Sequence, residues 1–189
     1  MFWRQLNFLS LVASGLYFFS TLYPWWGLDI GMGYSFRWSM WEGPLVNIGP
    51  PQPYSWINNV NQVLSSGTSI VGTLALVTAV LAFVGARPRR SRFFEVGFAL
   101  SVLIPFLYLV VVNVSVTAGH QAWPFDCISG TFGACADGAP PAPMITESWG
   151  FQTGFYIHIA GTIAGFLALV YDRDFLQWII ERKPETKLV

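Results

Sequence analysis

Four apolar runs govern what this chain can become. They cover about residues 6–23 (LNFLSLVASGLYFFSTLY), 63–86, 93–117 and 150–171 (GFQTGFYIHIAGTIAGFLALVY). A helix needs about 20 apolar residues to cross the roughly 30 Å hydrocarbon core of a bilayer, and each run is close to that length. None carries a charge near its centre, and Glu95 stands only two residues inside the third, within reach of the interface. Charged residues make up 11% of the 189 residues and the formal net charge is zero, whereas a soluble domain carries about 25% charge. The chain therefore lacks the polar surface of a soluble domain and the composition of a disordered one. It also lacks the basic patch of a nucleic-acid binder. The expectation is an all-α integral membrane protein, one domain of four transmembrane helices in an up-down bundle, with the bilayer as its first partner and no nucleic acid.

Lys and Arg counts in the flanks orient such a bundle. Arg4 precedes the first run, Arg87, Arg89, Arg90 and Arg92 join the second to the third, and Arg173, Arg182, Lys183 and Lys187 follow the fourth. Only Arg37 lies on the other side. Both termini are expected in the cytoplasm, with outer loops 24–62 and 118–149 facing out of a plasma or cell membrane. The first run lacks a small-residue cleavage site and ends in Tyr23-Pro24-Trp25-Trp26, an interfacial stop, so it reads as a span and not as a removed leader. The tail 172–189 carries Phe175, Leu176, Trp178, Ile179 and Ile180 among charges, which suits an amphipathic helix on the inner membrane surface.

The outer loops are expected to pack together as a small cap. In the first, Tyr34, Phe36, Trp38 and Met40 alternate with Ser35, Arg37, Ser39 and Trp41, the period of a β-strand. Trp25, Trp26, Trp38 and Trp41 are candidate interaction residues there, because Trp is over-used at interfaces; the alternative is that they fill the core of the cap and the membrane belt. The second loop holds both cysteines, Cys127 and Cys135. An extracytoplasmic loop permits a disulfide between them, and a redox role would call for a C-x-x-C pair, which is absent.

Within the spans, His158 lies inside the fourth apolar run, so it is a functional candidate by default. A bis-His haem would need a second His at the same depth, yet His120 follows the third run at the outer surface. A hydrogen bond to Asn113 or to a Ser or Thr of another helix is the expected alternative, with a partner subunit or lipid headgroup as others. Gly161 and Gly165 form a G-x-x-x-G face beside Ala160 and Ala164, suited to close helix packing within the chain or with another subunit. Pro105, inside the third run, frees the carbonyl of Ser101. No phosphate loop, nucleophile elbow, H-E-x-x-H motif or pair of intramembrane carboxylates occurs, so no catalytic residue and no metal ligand set is expected.

Four spans with both ends inside, a longer first outer loop, Trp25-Trp26 after the first span and an aromatic pattern ending in Ser39-Met40-Trp41-Glu42 resemble the claudin and peripheral-myelin-protein-22 superfamily. That family's first-loop cysteine pair is missing here. The resemblance implies a helix bundle topped by a small outer sheet that acts through interactions. The expected function is thus non-catalytic: an accessory or assembly subunit of a membrane complex, or a claudin-like adhesion protein, with other subunits or a second copy as partners. The alternative is a subunit of a membrane oxidoreductase holding haem, quinone or a hydrophobic substrate near His158.

Overall fold

A computed structural model of the chain describes residues 7–30, 34–41, 45–46, 55–87, 91–122, 130–137 and 145–171. In chain order these form α1 (Phe8–Ser20), β1 (Trp26–Ile30), β2 (Tyr34–Trp38), β3 (Leu45–Val46), α2 (Ser55–Gly85), α3 (Ser91–Ala122), β4 (Gly133–Asp137), β5 (Ile145–Phe151) and α4 (Thr153–Tyr171). The protein is mostly helical. Three segments are long and apolar enough to cross a membrane: Ser66–Gly85, Arg92–Ala118 and Thr153–Val170. The fourth helix of the expected bundle, α1, is apolar but has 13 residues, about 20 Å at 1.5 Å per residue.

Helix α1 is tied to its neighbours by polar bonds that are valuable where no water competes. Asn7 caps it by accepting from the Ser10 N–H, while its own backbone N–H donates to the Ala86 carbonyl and its amide to the Ala168 carbonyl. Ser10 and Ser14, one turn apart on one face, donate to the carbonyls of Ala82 and Ala79, each at 2.8 Å. The α2–α3 hairpin is the most extensive helix pair, and α1 rests on α4 and α2. Near the hairpin's closed end the two helices nearly touch, and a Cβ on Gly85 would collide with the backbone of Phe94.

Helix α2 begins at Ser55, within the stretch expected as loop, and α3 runs on to Ala122. Hydropathy marks where lipid can lie, and a polar helical extension such as 55–62 carries no such mark. Residues 150 and 151, expected in the fourth span, close strand β5 instead. The expected tail helix lies outside the described residues.

The segments joining α1 to α2 and α3 to α4 build one antiparallel sheet in the order β3-β2-β1-β5-β4. Central β1 pairs with β2 from its own segment and with β5 from the other, setting Leu28 opposite both Phe36 and Trp149. One face carries Trp26, Leu28, Phe36, Trp38 and Trp149, and these share a core with Val71 of α2 and Ile104, Tyr108 and Val112 of α3. The opposite face is polar. There Arg37 reaches across Gly27, where a Cβ would meet its side chain at 2.8 Å, to bond both carboxylate oxygens of Asp29 at 2.8 and 3.0 Å. A pair this exposed contributes at most about 1 kcal/mol, so the apolar face holds the sheet to the helices. The alternation over 34–40 is realised as β2. The second segment's strands were not legible because Glu147, only 3% exposed, sits on the apolar side of β5 and breaks the pattern.

Candidate functional site

Proline lacks an N–H, so Pro105 leaves the carbonyl of Ser101 without its helical donor. His158 of α4 takes that place, with Nε2 3.0 Å from Ser101 O. A carbonyl only accepts, so Nε2 carries the proton, and the Nδ1 lone pair faces Ser20 Oγ at 3.5 Å. Ser20 in turn donates to the Tyr17 carbonyl at 2.7 Å. Thr162 stands one turn after His158, donates to its carbonyl at 3.1 Å and lies 3.5 Å from Ser101 O. The imidazole is fully buried, with the rings of Tyr17 and Trp25 at 5.1 and 5.2 Å. Trp25 anchors itself by donating from Nε1 to the Ser20 carbonyl at 2.7 Å. The cluster therefore draws α1, α3, α4 and the entry to β1 onto one point.

This arrangement does the work of a bond between helices. Haem iron needs a ring nitrogen with an open approach, but Nε2 is committed to Ser101 and Nδ1 is closed in by Ser20, Tyr17 and Trp25. The residues present do not fit an axial haem ligand. His120 has its side chain outside the described ones. Asn113, offered by the sequence as a partner of His158, is exposed on α3, and the acceptor is the Ser101 main chain. Among the described residues no three His, Cys, Asp or Glu side chains gather as a metal set would.

Gly161 and Gly165 are buried beneath α1. A Cβ on Gly161 would stand 2.9 Å from the Tyr17 ring, and one on Gly165 would stand 2.8 Å from Tyr17 Oη and 3.2 Å from Phe98 of α3. Tyr17 thus lies in a slot that these glycines open, beside His158. Gly161→Leu or Gly165→Leu is expected to cost about 1–3 kcal/mol by overpacking, read as a lower unfolding temperature in detergent. Unchanged stability in both variants would place that face against lipid.

The loop tryptophans divide differently from the interaction reading. Trp25, Trp26 and Trp38 are at most 1% exposed and belong to the core; Trp26 donates to the Thr131 carbonyl at 2.8 Å. Large amphipathic rings fill the gap between sheet and helices, which removes these three as contact residues. Trp41 alone of the four is open, at 39%, and lies against Gly72 of α2. Cys135, on edge strand β4, is disulfide-bonded; Cys127 lies outside the described residues.

Sequence reasoning singled out His158, Pro105 and the freed Ser101 carbonyl, but not Tyr17, Ser20 or Thr162. Thr162 at i+4 from His158 was the available signal. Nothing in the sequence paired α1 with α4. No protein-family model matches the chain, and comparison with curated proteins finds no match.

Proposed function

We propose that the chain is a non-catalytic membrane protein that works by packing against other membrane proteins or a second copy of itself. It would serve as an accessory or assembly subunit or as a claudin-like adhesion protein. The observation that carries this reading is the inward use of the buried His158, whose ring is taken up in bonds between helices. The single sheet joining both outer segments, seated on a helix core, also supports a claudin-like plan. In this reading α1 is the fourth span of the bundle, both termini are cytoplasmic, and the membrane is the cell membrane.

Purification in mild detergent tests the function. A second membrane protein, or a second copy, is expected to remain bound in fixed ratio, and the preparation is expected to show no Soret band. A Soret band lost in His158→Ala would replace this reading with the oxidoreductase one.

Orientation has its own test. A cysteine at Ser55 is expected to react with an impermeant thiol reagent in intact cells, and one at Ser91 is not. The opposite pattern inverts the topology. The disulfide of Cys135 is assigned to Cys127. Free thiols under denaturing, non-reducing conditions would contradict that pairing, and loss of the bond should loosen the sheet while leaving the spans inserted.

A further inference from the structure

We infer that the sheet is seated in the lipid leaflet on its own side of the membrane and does not stand above it. The inference rests on the membrane-spanning reading of α2, α3 and α4 and concerns where the lipid ends.

The depth follows from hydrogen bonds and close contacts at the two ends of the helices. At the end away from the sheet, Asn7 bonds the carbonyls of both Ala86 and Ala168, which puts these three residues at one level. At the sheet end, Met40 and Trp41 lie against Gly72 of α2, and Trp25 and the Tyr23 carbonyl lie against Gly154 of α4. Gly72 to Ala86 and Gly154 to Ala168 are equal lengths of helix, each about 21 Å at 1.5 Å per residue. Helix α1, ending where Trp25 bonds Ser20, gives about 20 Å by the same rise. Three helices therefore agree that the base of the sheet begins about 20 Å from the far end, while the hydrocarbon core is about 30 Å thick. Helix tilt only shortens the distance.

The membrane could thin to that height, or lipid could rise around the sheet. The exposed side chains decide for the second. Val71, Ala75, Ile104, Tyr108, Val112 and Val116 form the floor on which the sheet packs, and all lie inside the apolar segments 66–85 and 92–118. On the outer side of α3, Phe106, Val110 and Val114 are exposed at those same levels. At the base of the sheet the open residues are Leu22, Tyr23 and Trp41. Beside β4, Phe132 is 70% exposed. It contacts Phe151, which stacks on Phe155 in the first turns of α4 at 4.1 Å. Aromatic side chains at the two flanks, Trp41 and Phe132, suit the headgroup–acyl boundary. The polar Arg37–Asp29 face and the strand edges then meet headgroups and water, as unpaired backbone must.

The test places a benzophenone amino acid at Trp41, Phe132, Val80 or Ser148 of the full-length protein, reconstituted in dioleoylphosphatidylcholine vesicles. Mass spectrometry after irradiation reads lipid adducts. Val80, exposed mid-span on α2, checks the membrane reading itself, and Ser148, on the polar face of β5, marks the water side. Lipid adducts at Trp41 and Phe132 in yield comparable to Val80, with none at Ser148, are the expected result. Adducts at Val80 but absent from Trp41 or Phe132 overturn the seated sheet alone. Absence at Val80 overturns the membrane reading and the inference with it.

Discussion

Replacing His158 with leucine is expected to destabilise the protein by about 1–3 kcal/mol, because the buried Ser101 carbonyl keeps only the long 3.5 Å contact of the Thr162 hydroxyl. The consequence specific to this structure is a rescue. Pro105→Ala returns an N–H four residues after Ser101 and lets α3 supply the bond itself. The restored helical N–H and the His158 ring N–H serve the same carbonyl, so the two substitutions must couple. The double variant His158→Leu/Pro105→Ala is expected to recover about 1 kcal/mol or more relative to the sum of the single changes. Thermal unfolding of the four proteins in one detergent measures this. Strict additivity would mean that His158 is held by its ring contacts and not by the gap that Pro105 leaves.

Trp25→Ala is expected to be the most damaging loop substitution, at about 3–5 kcal/mol for a large buried aromatic. Its indole touches Tyr108 of α3, Phe155 and His158 of α4, and the last carbonyl of α1. Losing it opens a cavity where the sheet, three helices and the His158 cluster meet. Trp41→Ala, half open against Gly72, is expected to cost about 0.5 kcal/mol, in the range of surface changes. The same unfolding measurement separates them. Equal effects would show that burial does not rank the loop tryptophans.

What the residues disclosed in advance follows the physics of each signal. A span announces itself, because lipid demands an apolar run, and the second, third and fourth runs coincide closely with the segments long enough to cross. The ends of the helices were less legible. The polar stretch from Ser55 is helical without needing lipid, and its neighbours carry no apolar period to reveal it. Strand β2 was readable because Phe36 and Trp38 face a core while Ser35 and Arg37 lie on the opposite, polar face. Strand β5 was not, because Glu147 shares the side of Trp149. A tryptophan count cannot tell a contact surface from a core. Trp26 became core because β1 is the centre of the sheet, and that position depends on a pairing with β5 more than a hundred residues away; Trp25, just before β1, is buried against α3 and α4. Pro105 and His158 were each visible alone; their union needed the fold.

The proposed function is that this chain works in company. Native mass spectrometry of the protein ejected directly from vesicles of its own membrane tests it, since no detergent step then strips a partner. Assemblies heavier than the 21.1 kDa chain by a second copy or a second membrane protein in fixed ratio are expected. A single 21.1 kDa species, with lipid still attached and at every expression level, would contradict that function.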